Sequence, residues 1–146
     1  MDAVSERHER LTALGHQLID THARLLQALD ELRAGGEPSR DLRTHCATFC
    51  SAVTRHHTGE DTSVFSYLSE RHPQLRPVLE GLQHDHEVIA GLLRRVAETA
   101  AAVDPAGARA ELDGIAAILE SHFAWEEKRL VAVLNDVAPD DLRPQW

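Results

Sequence analysis

The sequence predicts an all-α protein folded as an antiparallel, up-down-up-down four-helix bundle. Three observations support this fold class. Apolar residues recur three, four and seven positions apart, which is the period of a helix that buries one face. The 146 residues are rich in alanine, leucine, glutamate and arginine, and only 4% are aromatic, a composition that favours helices over strands. Glycine and proline are concentrated in a few short clusters, which would separate the helices.

The first helix is expected from Ser5 to Leu32 or Ala34, where the glycine-rich turn Gly35–Ser39 ends it. Leucines and one histidine fall on a single stripe along this helix. Such a stripe faces the core of a bundle and leaves the polar residues between its members in solvent. The predicted inward residues are Leu11, Leu18, His22, Leu25, Leu29 and Leu32.

The second helix is expected from Arg40 to Ser69, with Ser39 or Asp41 as its N-cap. Gly59 lies inside this helix, where glycine costs roughly 1 kcal/mol relative to alanine at an exposed position. It would permit a close approach or a small distortion of the backbone. The predicted inward residues are Leu42, His45, Phe49, Ala52, His56, Glu60, Ser63 and Tyr67.

The third and fourth helices are expected from Pro77 to Val103 and from Ala108 to Asn135, with Asp104–Gly107 as the break between them. Four long helices joined by short connections pack as antiparallel neighbours. Residues 1–137 would form one bundle domain, and residues 138–146 a polar, irregular tail. The predicted inward residues are Leu79, Leu82, His86, Ile89, Leu93 and Val96 in the third helix, and Leu112, Ile115, Leu119, His122, Glu126, Leu130 and Val133 in the fourth.

Charge and composition argue against several classes of partner. The formal net charge is −9, whereas binding to nucleic acid requires a basic surface. No apolar run approaches the roughly 18 residues of a membrane span, and the first residues lack the apolar region of a signal peptide. Cys46 and Cys50 lie one turn apart on one predicted helix, which is a poor disulfide framework. We therefore expect a protein of the reducing cytoplasm with no nucleic-acid and no membrane partner.

Two short motifs carry the chemistry of this sequence. His56 and Glu60 are four residues apart, and His122 and Glu126 repeat that spacing in the last third of the chain. On a helix this spacing places both side chains on one face, so that an imidazole and a carboxylate point at one spot. That pair suits a first-row transition metal better than magnesium or calcium, which prefer oxygen ligands. One such pair is a weak signal, but two on different helices indicate a metal site.

The chain also contains an internal repeat of a helical hairpin. His22 and His86 are each followed by apolar residues at three and seven positions, and an H-x-x-x-E helix comes 34 and 36 residues later. A single histidine on an apolar stripe is more often a hydrogen-bonded core residue. Two buried carboxylates, however, cost several kcal/mol each unless they are paired or bind a cation. The predicted metal ligands are therefore His22, His56, Glu60, His86, His122 and Glu126.

Two of these assignments have alternatives. Glu127 competes with Glu126 as the carboxylate ligand. His16 competes with His22, because His16 matches the depth of the other ligands better although it lies off the stripe and breaks the repeat. The choice between these residues stays open in the sequence.

The remaining polar residues near the motifs are interpreted as supporting groups. His57 and Asp61 form a second pair, about 100° around the helix from the first, and are assigned to the flank of the site. Asp61 and Glu127 would orient ligand imidazoles. His45 lies about 16 Å along the axis from the site, and either packs or forms a separate polar cluster with the cysteines. The histidines assigned to the surface or to loops are His8, His16 and His72.

The bundle favours two metal ions over one. In di-iron bundle proteins, glutamates and histidines from facing helices share a metal pair. Two bridging glutamates, with two histidines for each metal, would give each iron four protein ligands and leave positions open to solvent or small molecules. Zinc is the main competitor, but it prefers four-coordinate sites. The predicted cofactor is therefore a non-heme centre with two iron ions.

From about Leu11 to Leu134 the sequence resembles the hemerythrin-like (HHE) cation-binding domains. The six predicted ligands match the order H…H-x-x-x-E…H…H-x-x-x-E of that family. The segment H-H-T-G-E-D-T-S-V-F is similar to the family's H-H-x-x-E-D-x-x-L-F, and H-F-A-W-E-E-K-R-L is similar to its last-helix segment. The resemblance implies a non-heme di-iron centre that binds O2 or related small ligands such as NO and peroxide.

The sequence departs from the oxygen-carrying hemerythrins on the third helix. Those proteins have H-x-x-x-H there, whereas this chain has Leu82 four positions before His86, and His84 falls on another face. One histidine ligand therefore looks absent, so reversible oxygen carriage is not implied. A less saturated iron would be more open to peroxide, to NO and to redox turnover.

Three functions are compatible with such a site. The first is a cytoplasmic di-iron protein that binds O2, NO or peroxide for sensing, storage or detoxification, with a redox partner that the sequence does not identify. The second is an enzyme that turns over peroxide, although the sequence shows no site for a reductant. The third is a non-catalytic module whose fold or partner binding depends on iron. Tyr67 would donate a hydrogen bond or an electron near the site, or would pack as an ordinary aromatic residue.

Overall fold

A computed structural model describes residues 13–34, 40–102, 104–138, 140–144 and 146, with the backbone alone for residues 40–42 and 105. The regular structure of this part of the chain is entirely helical, as predicted. A short 3-10 turn, Pro73–Leu75, precedes the fourth α-helix. The longer elements are α1 (Leu14–Ala34), α2 (Arg40–Gly59), a π-helical turn (Glu60–Val64), α3 (Phe65–Arg71), α4 (Arg76–Ala101) and α5 (Pro105–Asn135).

Four helical rods form a bundle. The helix α2, the π-turn and α3 continue without interruption from Arg40 to Arg71 and make up the second rod. The helix α1 contacts α2 and α5, and α4 contacts the same two helices, so that the four rods close into a ring. The up-down-up-down direction of the rods stays a prediction. Within the described residues, no helix is long and apolar enough to cross a lipid bilayer.

The division into a bundle of residues 1–137 and a tail of residues 138–146 stays a prediction. Several other predicted features fall outside the described part of the chain. These features are the helix start at Ser5, the inward Leu11, the turn Gly35–Ser39 with its possible cap Ser39, the side chains of Asp41 and Leu42, and the helix end at Val103.

The last helix begins earlier than predicted, at Pro105 rather than Ala108. Asp104 is its N-cap, and the Asp104 carboxylate accepts a hydrogen bond from the backbone N–H of Gly107 at 3.0 Å. Proline in the first turn of a helix loses no intrahelical hydrogen bond. The Asp-Pro pair therefore starts the helix, although we expected it to lie in a break.

The core consists of two hydrophobic clusters with a polar layer at their boundary. Leu25 and Ile89 belong to one cluster, and Leu18 and Leu82 belong to the other. In α1 and α4 a buried histidine falls between the two clusters, and the second and fourth rods carry buried histidines and glutamates at the corresponding place. Every rod therefore contributes polar side chains to the same layer of the molecule.

The inward face of α2 is rotated by about one residue from the predicted face. The prediction that His45 points inward is wrong, because His45 is exposed and Cys46 is fully buried beside it. Two turns later Val53 is fully buried, while Ala52 is only partly covered. Both registers fit the spacing of three and four, and the larger apolar side chains take the core positions because their burial is more favourable.

The π-turn shifts the inward face again beyond Glu60. Such a turn contains one residue more than an α-helical turn. Ser63 and Tyr67 were predicted to point inward and are only partly buried, whereas Val64 and Leu68 are fully buried. The distortion predicted beside the glycine of this helix is therefore confirmed, and its extra residue explains the shift.

The segment that follows α5 packs back on the bundle. Leu142 is buried in the same cluster as Leu18 and Leu82, and Trp146 packs against that cluster. The Trp146 ring lies 6.3 Å from the ring of His56, measured between centroids. This segment therefore runs over the second rod close to the polar layer.

Candidate metal centre

The six predicted ligands lie together in the polar layer, and every rod contributes at least one of them. All six side chains are buried, and both carboxylates are 0% exposed. His16, the alternative to His22, is exposed on α1 and does not reach the layer. The structure thus brings the predicted residues to one place, while their role as ligands stays a prediction. The group consists of His22 from α1, His56 from α2, Glu60 from the π-turn, His86 from α4, and His122 and Glu126 from α5.

Glu60 lies between histidines of two different helices. Its Oε1 atom is 3.2 Å from Nε2 of His56 in α2 and 3.4 Å from Nε2 of His86 in α4. The glutamate is the first residue of the π-turn, a distortion that is frequent at functional sites. On a helix that turns about 100° per residue, Glu60 points between His56 and His57, about 40° from one and about 60° from the other.

Glu126 holds the corresponding position in the second half of the chain. Its Oε2 atom is 3.3 Å from Nε2 of His122 in the same helix. Its Oε1 atom is 3.7 Å from Nε2 of His22 in α1. Each glutamate therefore connects one histidine of the first hairpin with one histidine of the second.

Carboxylates at the edge of the layer orient the first histidine of each hairpin. Nδ1 of His22 donates a hydrogen bond to Oε2 of Glu127 at 3.0 Å, and Nδ1 of His86 donates to Oδ1 of Asp61 at 2.8 Å. These contacts confirm the orienting role predicted for both carboxylates. Because Nδ1 carries the proton, the lone pair of each imidazole lies on Nε2, which faces the centre of the layer.

His122 has an orienting partner that the sequence analysis missed. Nδ1 of His122 donates a hydrogen bond to Oδ2 of Asp85 at 3.1 Å. The equivalent position in the first hairpin is Thr21, and Nδ1 of His56 has no hydrogen-bond partner among the described residues. The only sequence signal for Asp85 was its place directly before a predicted ligand. Its partner depends on the register between α4 and α5, which the sequence does not specify.

His57 lies inside the site, so its assignment to the flank was wrong. Its side chain is buried, and its ring stacks on that of His86, with centroids 3.8 Å apart and planes 10° apart. The prediction compared the direction of His57 with that of His56, which is about 100° away around the helix. The direction of Glu60 differs from that of His57 by only about 60°. The spacing of three residues between His57 and Glu60 was the signal that would have placed it correctly.

The two halves of the site follow the internal repeat and differ at one position. Phe123 follows His122 as His57 follows His56, and the Phe123 ring stacks on His22, with centroids 3.9 Å apart and planes 9° apart. The first histidine of each hairpin is thus covered by an aromatic ring from the opposite hairpin. In one half that ring is an imidazole with a donor atom, and in the other half it is a benzyl group without one. The site therefore contains five imidazoles.

Burial keeps most of these imidazoles neutral. It lowers the pKa of His22 to about 3, that of His56 to about 4 and that of His86 to about 3. Burial, reinforced by the neighbouring histidines, lowers the pKa of His57 still further. Neutral imidazole is the form that binds a metal ion. The environment therefore holds these side chains ready to act as ligands.

The remaining ionisable groups of the layer are strongly coupled. Burial and the charge of Glu126 raise the pKa of Glu60. Burial opposes ionisation of Glu126 as well, but close contacts with Glu60 and His122 outweigh it and lower the pKa of Glu126. Burial alone would lower the pKa of His122, whereas its contacts with the Glu126 and Asp85 carboxylates raise it. Oxygen atoms of the two carboxyl groups lie within 4.8 Å of each other, so both groups can be ionised together only if a positive charge lies between them.

The donor atoms of the layer fit a bound cation. The Nε2 atoms of His22 and His56 lie only 3.1 Å apart and face each other. Buried polar atoms are normally hydrogen-bonded, paired or bound to a metal. Among the described residues, the buried atoms without a hydrogen-bond partner include both carboxylate oxygens of Glu60 and Glu126 and Nε2 of His57, His86 and His122.

These atoms form two sets, each compact enough to surround one ion. Within a set, the ligand atoms lie within 4.8 Å of one another. Imidazole and carboxylate donors together suit a transition metal. The first set consists of His57, His86 and His122, and the second consists of His22, His56, Glu60 and Glu126.

Fold and site together define a helical-bundle protein with a buried, cation-binding centre of histidines and glutamates. Residues 2–134 match the family model described as the hemerythrin HHE cation-binding domain. The chain therefore belongs to the hemerythrin HHE cation-binding family, which confirms the resemblance seen in the sequence. Comparison with curated proteins and with solved structures returned no match.

Proposed function

We propose that the centre binds two iron ions, and that the chain is a non-heme di-iron protein built as an antiparallel up-down-up-down bundle. The observation that carries this proposal is the position of Glu60 and Glu126. Each carboxylate lies within 3.7 Å of Nε2 atoms from both hairpins, so each can be shared between two ions. Shared carboxylates between histidines of facing helices are the arrangement of di-iron bundle proteins. A single zinc ion would use four ligands and leave several buried donor atoms unsatisfied.

The residues divide into those that hold the ions and those that hold the ligands in place. Asp61, Asp85 and Glu127 keep the proton of their histidine on Nδ1, so that Nε2 remains free to bind a metal. The rings of Phe123 and Phe65, which lie 3.9 and 5.5 Å from site imidazoles, exclude bulk water. The ions would be held by His57, His86 and His122 on one side, by His22 and His56 on the other, and by Glu60 and Glu126 between them.

When bound, an iron pair supplies reversible binding and redox chemistry toward O2, NO or peroxide. We propose ligand binding for sensing, storage or detoxification, in the cytoplasm, as the function of this chain. The sequence suggested that a fifth histidine was missing, and His57 provides one from α2 instead of the third helix. That donor supports reversible binding of a small ligand over peroxide turnover. Tyr67 is only partly buried, and the guanidinium carbon of Arg71 lies over its ring, 4.9 Å from the ring centroid. This contact supports the packing alternative for the tyrosine.

Metal analysis with an optical spectrum, on anaerobically purified protein, tests this proposal. We expect about two irons per chain, ferric charge-transfer absorption after exposure to air, and a reversible spectral change with O2 or NO. Release of oxygen from added peroxide, at more than one equivalent per protein, would instead identify a peroxide-decomposing enzyme. A content of one zinc or of no metal, in a bundle that stays folded in chelator, would refute the di-iron proposal.

A further inference from the structure

We propose that the chain has a second ligand site, a groove that binds the phosphate group of a small phosphorylated metabolite. The groove lies between the outer face of the second rod and the segment that follows α5. Its volume is about 620 Å³, which is in the range of small-molecule sites. The groove uses the face of this rod opposite the metal centre, and the proposal does not depend on the identity of the metal.

Two arginines from distant parts of the chain give the groove its charge. Arg55 on α2 and Arg143 on the segment after α5 both line it, and no carboxylate is among its described lining residues. Arg55 forms no hydrogen bond or ion pair with any residue that the structure describes. Arg143 lies 3.7 Å from Asp140, but these side chains are 81% and 95% exposed, so this ion pair is weak. In a chain with a net charge of −9, such a groove is a local site for an anion.

Hydroxyl side chains line the groove near Arg55 on the same helix. Ser51, Thr54 and Thr58 line the groove one turn or less from Arg55. Guanidinium groups on two walls, together with hydroxyl donors, approach a ligand from several directions. A tetrahedral phosphate offers oxygens in those directions, whereas a carboxylate offers two oxygens in one plane. The donor arrangement therefore favours phosphate.

The part of the groove beside the π-turn favours hydroxyl groups on the ligand. Thr62 and Ser63 line this part, and their hydroxyls donate hydrogen bonds to the backbone carbonyls of Thr58 and Gly59. With their protons engaged, these oxygens can only accept. A ligand that presents its own hydroxyls would satisfy them. A phosphate monoester of a small polyhydroxy compound, such as a sugar phosphate, has both kinds of group.

A ligand that bridges Arg55 and Arg143 would also hold the last segment against the second rod. Leu142, next to Arg143, is buried in the core, and Trp146 lies beside His56. Binding would therefore restrict the motion of this segment. We therefore expect proteolytic cleavage after residue 136 to be slower when a ligand occupies the groove.

Calorimetric titration of the purified whole chain with inorganic phosphate and with glucose 6-phosphate tests the site. We expect saturable binding of both, tighter binding of the sugar phosphate, and weaker binding at high ionic strength. Arg55→Gln and Arg143→Gln should each weaken binding by about tenfold or more, because each removes a charge-assisted contact. Arg94→Gln is the matched control, since Arg94 is exposed on α4 and does not line the groove.

Circular dichroism of the three variants checks that they fold alike, which we expect because all three arginines are exposed. The proposal is overturned by the absence of saturable binding, or by an Arg94 variant that binds as weakly as the Arg55 variant. Equal affinity for the two probes would overturn the assignment to a phosphorylated metabolite and identify free phosphate as the ligand.

Discussion

The imidazole of His57 decides how the two halves of the metal centre differ. It occupies the position that Phe123 holds in the other hairpin, and each ring stacks on the first histidine of the opposite hairpin. One half therefore offers an additional nitrogen donor while the other half is closed by a hydrocarbon ring. An ion beside His57 would be bound by more protein groups, and the ion on the other side would keep more room for an exogenous ligand.

Replacement of His57 with alanine should weaken the binding of one of the two ions. The ion beside His57 would retain two imidazoles and the shared carboxylates, one nitrogen donor fewer than with His57 present. We expect a fixed challenge with chelator to remove more metal from the variant than from the natural protein, measured by elemental analysis on folded protein. His84→Ala is the control, because His84 is 74% exposed on α4. Equal loss of metal from the His57 variant and the natural protein would contradict its assignment as a ligand.

The thiol of Cys50 gives a prediction that is independent of the metal. Burial raises its pKa from 9.0 to about 11, and its Sγ donates to the carbonyl oxygen of Leu93 at 3.7 Å. The folded state thus favours the protonated thiol. The contribution of this protonated thiol to the free energy of unfolding is fully present below pH 9 and is lost as the pH rises toward 11. Cys50→Ser should flatten the fall in the free energy of unfolding between those two pH values.

Alkylation kinetics provide the second measurement on Cys50. At pH 8 the folded protein should react with iodoacetamide much more slowly than an unfolded control in urea, because the thiolate is the nucleophile. Rapid reaction of the folded protein at that pH would show that the thiol is not protected in this way. Unfolding would also expose Cys46, which is buried, so the comparison is made on a Cys46→Ala chain in which Cys50 is the single thiol.

Residue types and spacing were sufficient to predict six members of the site. Four of the six form two pairs, each within one rod, where the angle between side chains follows from the helical repeat alone. His22 and His86 follow from the repeat of the hairpin in the sequence. Asp85 was not predictable in the same way, since its contact with His122 joins two helices whose relative shift depends on packing. His57 was predictable in principle, and the error came from measuring its direction against His56 instead of Glu60.

At the scale of elements, the π-turn explains why the pattern of the second rod could be predicted only in part. The helical period predicted one continuous helix, and the rod is continuous from Arg40 to Arg71. The extra residue in the turn changes the direction of every side chain beyond Glu60, so that Val64 and Leu68 enter the core. A hydrogen-bond shift of this kind leaves no signature in a hydrophobic pattern. The glycine before it was only a weak hint.

The contact between α1 and α5 depends on a glycine. A Cβ atom at Gly15 would lie 2.5 Å from the backbone carbonyl oxygen of Val131, which cannot move without a shift of α5. Gly15→Ala should therefore lower the free energy of unfolding by about 1–3 kcal/mol, the usual cost of overpacking. Gly114→Ala is the matched control, because nothing lies within 4 Å of the added atom. The control should gain about 0.5–1 kcal/mol from helix propensity.

Urea unfolding of both glycine variants measures the difference. The two substitutions add the same methyl group to a helix, so any opposite effect comes from the surroundings of the glycine. If Gly15→Ala is as stable as Gly114→Ala, the two helices do not pack as closely as the structure indicates.

At the scale of the whole molecule, the polar layer interrupts what would otherwise be one hydrophobic core. Two apolar clusters lie on either side of it, and all four rods pass through both clusters and the layer. The repeat of the hairpin in the sequence predicted this layer, because both hairpins carry their polar residues at equivalent positions. The layer places two fully buried carboxylates among largely neutral imidazoles. The stability of the bundle should therefore be linked to the cations that it holds.

Removal of the cations should destabilise the whole bundle. A tightly bound ligand contributes several kcal/mol, and in a domain of this size each kcal/mol shifts the melting temperature by about 2–4 °C. We expect chelation to lower the melting temperature by about 10 °C or more. Circular dichroism measures this change, once elemental analysis has verified that the metal is removed.

The double variant Glu60→Gln, Glu126→Gln keeps the shape of both side chains and removes both negative charges. It should bind less metal, lose its sensitivity to chelator, and melt above the chelated natural protein, since no repelling carboxylates remain in its core. Equal melting temperatures before and after complete metal removal would mean that protonation of the buried carboxylates is enough to offset their repulsion. The stability of the bundle would then not depend on cations.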